Sequence, residues 1–248
     1  MQTPRVDAYP VRLIAALAGA SALSVAALLV EIGETGSSFY RFLVWNLFLA
    51  WVPLAAALAC YVFTRAQAHG FAAGASVIWL LFFPNAPYML TDYVHIRDVR
   101  LTSPVWWDAL MLSSFVWTAL MLGFASLVLM QIVWRAHIGR ISSWLLVVLA
   151  LALASFGVYL GRFVRLNSWD ALLHPRNVAH IIATQVKNPV HEPRLLGVLG
   201  LLTTFMLIGY VVVCSFPGFQ HRVESRVQTR RRGVGTDPDE PGAVQPKP

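Results

Sequence analysis

Six apolar runs, each about the length of a membrane-spanning helix, constrain this chain more than any other feature. In hydrocarbon every backbone N–H and C=O must be paired within the segment, so runs of about 20 apolar residues predict spanning helices. The chain is 57% hydrophobic and only 12% charged, which excludes an ordinary soluble domain. The continuous runs lack the alternation of barrel strands. We therefore predict an all-α, polytopic bundle with helices near residues 11–30, 42–63, 71–91, 109–133, 143–162 and 195–216.

The distribution of arginine predicts the orientation of these helices. Arg5 and Arg12 precede the first run and Arg65 follows the second, whereas the first connection carries Glu31 and Glu34. Because basic connections stay in the cytoplasm, both termini are predicted to be cytoplasmic. The segment 161–194 departs from this rule, since it is assigned to the outside and yet is basic. We infer that its charges have a functional role.

The last 28 residues differ in composition from the rest of the chain. Residues 1–220 form the predicted transmembrane domain, and residues 221–248 are basic and then rich in proline and glycine. Such a segment buries too little apolar surface to fold, so we expect a disordered cytoplasmic tail lying against anionic membrane lipid. We interpret the net charge of +7 mostly as a membrane-anchoring feature. No nucleic-acid partner is expected, because a folded basic domain is not indicated.

A first polar cluster follows the third apolar run, which Pro84 and Pro87 interrupt. Proline lacks an N–H and disfavours helical geometry in the residue before it. The third helix is therefore predicted to be broken at these prolines, with Phe83 and Ala86 extended and backbone carbonyls freed. Asn85, between the prolines, is a candidate ligand-binding residue that would orient a substrate. A proline-capped helix end is the alternative interpretation.

Asp92 and His95 lie just beyond the break, three residues apart. If a helix re-forms from Met89, the two side chains share a face. A carboxylate beside an imidazole suits proton transfer or a metal, and we take both as candidate catalytic residues, one of them a general base. The alternative is that both are ordinary polar residues at the membrane interface.

A second polar cluster lies where the fifth helix leaves the membrane. Arg162 and Arg165, again three residues apart, are predicted to project from one helical face and to bind a phosphate or carboxylate. Asn167 and Asp170 follow as further candidate ligand-binding residues. Arginines that extend to lipid headgroups would be the alternative. Both polar clusters fall on the same side of the membrane in the six-helix topology, which predicts one extracytoplasmic site.

Two other features are predicted to serve packing or anchoring. Trp106, Trp107 and Asp108 suit an aromatic belt with an acidic residue at the start of the fourth helix. Small residues recur every four positions in the first helix, a spacing that lets two helices approach closely. They are Ala15 and Gly19, and Ala18, Ala22 and Ala26.

Three sequence blocks resemble the DUF1361 family of bacterial multipass membrane proteins. They are LLFFPNAPYMLTDYVHI (80–96), WWDALMLSSFVWTALMLGFASL (106–127) and SFGVYLGRFVRLNSWD (155–170). The resemblance implies a location in the bacterial inner membrane. It supplies no activity and no catalytic residues, because the function of the family is unknown.

The sequence leaves three classes of function open. The first is a protein that binds an anionic lipid or a lipid-linked ligand, with or without catalysis. The others are a transporter of ions or small solutes and an accessory subunit of a membrane complex. No GxSxG, HExxH, Walker or CxxC motif occurs, and the histidines after Asp170 lack the spacing of metal ligands, so no metal site is predicted and no cofactor is identified.

The predicted orientation can be tested with single cysteines in a variant lacking Cys60 and Cys214. In intact cells, a membrane-impermeant maleimide should label Ser38→Cys in the first connection. It should label Gln228→Cys in the tail only after the membrane is permeabilised. The reverse pattern would contradict the orientation.

Overall fold

A computed structural model of the protein describes residues 8–97, 104–165, 173, 176 and 193–215. These residues are almost entirely helical and contain no strand. Asn167, Asp170 and the predicted tail at residues 221–248 lie outside the described residues. The long helices are α1 (Ala8–Thr35), α2 (Phe42–Arg65), α3 (His69–Phe82), α5 (Val105–Ile138), α6 (Arg140–Tyr159) and α7 (Pro193–Ser215), with the short α4 (Asn85–Tyr88) after α3.

Three further short helices lie between the long ones. Two are 3-10 helices, Phe39–Arg41 before α2 and Met89–Arg97 after α4, and the third is a π-helical turn, Leu160–Val164, after α6. The chain divides into two compact units, Met1–Ile208 and Gly209–Pro248, and the described residues of the second are the final helical turns of α7.

Six helical segments are long and apolar enough to cross a membrane, so the predicted number is confirmed for the described residues. The third of them, His69–Ile96, contains α3, α4 and the second 3-10 helix in succession. Observed spans exceed several predicted ones: α5 covers Val105–Ile138 where 109–133 was predicted. The protein therefore has the helical architecture of a multipass membrane protein.

Helix α5 forms the centre of the bundle in the first unit. It packs against α1, α2, α4, α6 and the 3-10 helix Met89–Arg97. Its inward residues include Leu112, Phe115 and Ala119, all fully buried. Gly139, with φ of +83°, ends α5 and starts α6, because a positive φ is accessible to glycine at little steric cost. The five packed elements are thus positioned against one long helix.

Polar side chains join the helices through hydrogen bonds. Trp79 Nε1 on α3 donates to Ser126 Oγ on α5 at 3.1 Å, and Thr203 Oγ1 on α7 donates to Ser155 Oγ on α6 at 2.9 Å. Lipid tails are as apolar as leucine, so helix association in a membrane depends on such bonds and on close packing.

The backbone keeps helical φ and ψ values at the prolines, although α3 ends at Phe82 and α4 begins only at Asn85. Phe83 has φ of −55° and ψ of −37°, and Ala86 lies within α4, so the predicted extended conformation at both residues is wrong. The Phe83 N–H still donates to the Trp79 carbonyl at 2.8 Å, and the two rings stack with centroids 4.7 Å apart. Packing of the fully buried Phe83 outweighs the local preference imposed by Pro84.

The proline turn lies between two glycines on neighbouring helices. A Cβ added at Gly157 of α6 would lie 2.6 Å from Pro84 Cγ, and one added at Gly123 of α5 would lie 2.8 Å from Ala86 Cβ. Gly157 therefore allows α6 to pack closely against the proline turn. It fixes the direction in which the chain continues from α4 into the second 3-10 helix.

Helix α1 contacts the bundle through one face, and its small residues lie on another. Leu17, Ser24 and Leu28 are buried. The small residues are exposed or half-buried on the opposite side, so their predicted use in close packing is not realised within the described chain. Those on the exposed side are Ala15, Ala18, Gly19, Ala22 and Ala26.

Gly157→Ala should destabilise the protein, because the new methyl group overlaps the Pro84 ring. Overpacking of this kind costs about 1–3 kcal/mol. Gly74→Ala on α3 is the matched control, since a Cβ there has no atom within 4 Å. Thermal unfolding in detergent should show a lower Tm for Gly157→Ala alone. Equal melting of both variants would contradict the close approach.

Candidate functional site

The second 3-10 helix places Asp92 and His95 on one face. A 3-10 helix has about three residues per turn, so side chains three positions apart lie directly above one another. The predicted sharing of a face therefore holds, although the helix is 3-10 rather than α. The Asp92 side chain is only 2% exposed, whereas His95 is half-buried.

Arg162 reaches this pair from the π-helical turn at the end of α6. Its Nη1 lies 3.4 Å from His95 Nε2 and 3.8 Å from Asp92 Oδ1. The two polar clusters, 67 residues apart in sequence, therefore meet. A guanidinium can only donate, so a hydrogen bond across this contact requires His95 Nε2 to act as the acceptor.

Asn46 on α2 completes the surroundings of Asp92. Its Nδ2 donates to Asp92 Oδ2 at 3.0 Å, so one carboxylate oxygen faces the amide and the other faces Arg162. Sequence reasoning missed Asn46, because it is a single polar residue within a long apolar run. Its amide was nevertheless a usable signal, since polar side chains inside spanning helices usually face protein.

Aromatic rings border the imidazole on the side of α2. The ring centroids of Phe42 and Phe39 lie 5.1 and 6.0 Å from that of His95, both with edge-type geometry. These contacts restrict the orientation of the imidazole. Asp92, His95, Arg162 and Asn46 are named here the Asp92 cluster.

Two other residues predicted to bind a ligand, Arg165 and Asn85, have surroundings that differ from those of Arg162. Arg165 follows the π-helical turn with φ of +61° and is exposed, so it does not share a helical face with Arg162 as predicted. The π-helical turn is the reason, since its wider winding alters the three-residue spacing. Asn85 donates its Nδ2 to the Phe82 carbonyl at 2.9 Å, a local contact at the proline turn. Its role in orienting a ligand stays a prediction.

Two more carboxyl side chains are buried near the ends of helices. Asp108 lies in the first turn of α5, as predicted, and its side chain is fully buried because α5 packs in the centre of the bundle. The neighbouring Trp106 is exposed, as a belt residue would be. Glu31 near the end of α1 is also buried.

The chemistry available to the Asp92 cluster is that of hydrogen bonds and proton transfer. Within the described ranges, no group of three or more His, Cys, Asp and Glu side chains is arranged to hold a metal ion. Both contacts of Arg162 use Nη1, and its side chain is 22% exposed. No described residue accepts from its Nε or Nη2. Among the described residues, the guanidinium therefore has polar contacts through Nη1 alone.

Comparison with known proteins identifies the family without adding an activity. Residues 45–209, which include every member of the Asp92 cluster, match the profile of "Protein of unknown function (DUF1361)". No curated protein and no solved structure gave a significant match. Because the matched region covers more than half of the chain, this protein belongs to the DUF1361 family.

Proposed function

We propose that the protein binds the anionic headgroup of a membrane lipid or lipid-linked molecule through Arg162, on the extracytoplasmic side of a bacterial inner membrane. The observation that supports this is the position of the Arg162 guanidinium, which lies beside Asp92 and His95 and whose Nε and Nη2 have no acceptor among the described residues. A planar guanidinium binds phosphate and carboxylate oxygens through paired N–H groups.

A purely structural role for Arg162 is the main alternative to ligand binding. An arginine that anchors a helix to headgroups extends its charge toward water. Arg162 instead directs its guanidinium at a carboxylate that is almost fully buried. The Arg162 Nη1 atom lies 3.8 Å from Asp92 Oδ1, which exceeds the 2.7–2.9 Å of a charge-assisted hydrogen bond. The two side chains therefore form an ion pair without a short hydrogen bond. Arg165, which is exposed, fits the anchoring role better.

The surroundings of Arg162 favour an amphiphilic ligand over a free ion. Phe163, beside Arg162 in sequence, is 50% exposed, and Phe39, which contacts His95, is 43% exposed. An apolar surface beside a charged group suits a molecule with a polar head and an acyl or isoprenoid chain. Free phosphate would gain nothing from these rings.

Catalysis on the bound headgroup is an extension of the same proposal. A neutral imidazole beside a buried carboxylate is a suitable general base, because it can accept a proton and remain paired. In that scheme His95 Nε2 would accept the proton once a ligand has drawn Arg162 away. Asp92 would orient the imidazole and stabilise its charge.

An accessory subunit is the second candidate, supported by α1. The small residues of this helix are exposed on the side away from the bundle, where a helix of another chain could approach closely. The transporter alternative depended on carbonyls freed at the prolines. Those of Phe82 and Phe83 accept from the Asn85 side chain and the Ala86 N–H, which weakens that alternative.

The proposal predicts that Arg162→Ala removes a bound anionic lipid and that Arg165→Ala does not. Loss of charge-assisted hydrogen bonds of about 1.5–3 kcal/mol lowers affinity about 10- to 150-fold. Native mass spectrometry of the detergent-purified protein measures the bound species directly. An adduct with the mass of a lipid supports a headgroup ligand, and one with the mass of inorganic phosphate identifies a free anion.

Both variants should melt within a few degrees of the wild type for the comparison to be valid. Arg162→Gln is the second variant if Arg162→Ala is unstable, because it keeps a donor toward Asp92. Binding through Arg162 would be contradicted if the wild type, the Arg162 variant and Arg165→Ala all carried the same amount of lipid adduct.

A further inference from the structure

We infer that binding of an anionic headgroup at Arg162 is coupled to the uptake of one proton by the Asp92–His95 pair. This inference rests on the proposed function and adds how the charge of the same site changes when the ligand binds. Its basis is the arrangement of the Asp92 cluster, in which Arg162 is the one guanidinium among the described residues that lies beside the buried carboxylate.

The surroundings of Asp92 define the charge balance before binding. Asn46 is a neutral donor, His95 Nε2 faces the guanidinium, and Arg162 carries a positive charge. With Asp92 ionised and His95 Nε2 acting as an acceptor, the cluster has no net charge. A carboxylate that is only 2% exposed needs such a counterion, because burial removes the water that would otherwise stabilise its charge.

An anion that binds Arg162 disturbs this balance. The guanidinium would then be shared between two anions, and one of them, Asp92, has little access to water. Arg162 would also turn away from His95 Nε2, which loses its donor. One proton from the aqueous phase restores neutrality and occupies the vacated position on the pair. Because Asp92 and His95 are adjacent, the proton belongs to the pair rather than to either residue.

Other titratable groups lie on the elements that pack against this 3-10 helix. The 3-10 helix that carries Asp92 packs against α5, α4 and α2. Asp108 is the acidic residue in the first turn of α5, and Tyr88 lies on α4. Tyr93, on the same 3-10 helix, hydrogen-bonds through its hydroxyl to Ser113 Oγ at 2.8 Å. The polar partners of Asp92 among the described residues are Asn46 and Arg162.

Isothermal titration of the purified full chain with dioctanoyl phosphatidylglycerol tests the coupling. This phosphodiester does not change charge near neutral pH, so any proton taken up goes to the protein. Titrations in HEPES and in Tris at one pH give the number of protons, because the two buffers release different heats of ionisation. We expect a value approaching one, and affinity that falls up to about tenfold per pH unit as the pH rises.

Asp92→Asn is the matched variant. It keeps the size of the side chain and a carbonyl oxygen that can accept from Asn46, but it removes the negative charge. The variant cluster is positive before binding and neutral after it, so no proton is required. We expect binding at least as tight as that of the wild type at neutral pH, with no proton uptake and little dependence on pH. Dioctanoyl phosphatidylcholine, which has no net charge, should bind weakly to both proteins.

The outcomes separate this inference from the proposed function. Arg162-dependent binding of phosphatidylglycerol without proton uptake would overturn the coupling and leave the proposed function intact. Proton uptake that persists in Asp92→Asn would also overturn the coupling and would direct attention to another group such as Asp108. If neither protein binds phosphatidylglycerol more tightly than phosphatidylcholine, both proposals fail. Proton counting on the wild type remains decisive if Asp92→Asn is unstable.

Discussion

The buried carboxylate of Asp92 is the group on which the arrangement of the site depends. Asn46 donates to one of its oxygens from α2, and Arg162 approaches the other from the end of α6. A carboxylate removed from water is costly unless such partners are present, so three separate segments must come together around it. Their convergence also brings His95 to Arg162 and forms the polar cluster in a chain that is otherwise mostly apolar.

The fold provides this convergence through close backbone packing. Gly123 and Gly157 let the proline turn lie between α5 and α6, and the 3-10 helix follows directly from that turn. The 3-10 winding then aligns Asp92 with His95. In a lipid environment, where apolar contacts alone give little preference between helix partners, such close approaches and polar pairs determine which helices pack together.

Much of the architecture was predictable from the sequence, because long apolar runs and the pairing of backbone groups in lipid leave few alternatives to a helical bundle. The meeting of the 92–95 and 162 segments was also predictable, since alternating helices place both at the same end of the bundle. Details that depend on packing were not. The helical conformation of Phe83, the burial of Asp108 and the partnership of Asn46 arise from contacts with residues distant in sequence. The π-helical turn that separates Arg162 from Arg165 likewise has no clear signal in the local sequence.

Cysteine cross-linking in native membranes tests the central claim most directly, namely that Arg162 lies against the Asp92–His95 face. The pair His95→Cys and Arg162→Cys would be introduced into a variant lacking Cys60 and Cys214. The control is His95→Cys with Arg165→Cys, because Arg165 is exposed beyond the π-helical turn. A short bifunctional maleimide should cross-link the first pair efficiently and the control pair poorly. Equal or weaker cross-linking of the first pair would contradict the meeting of the two segments and with it the proposed site.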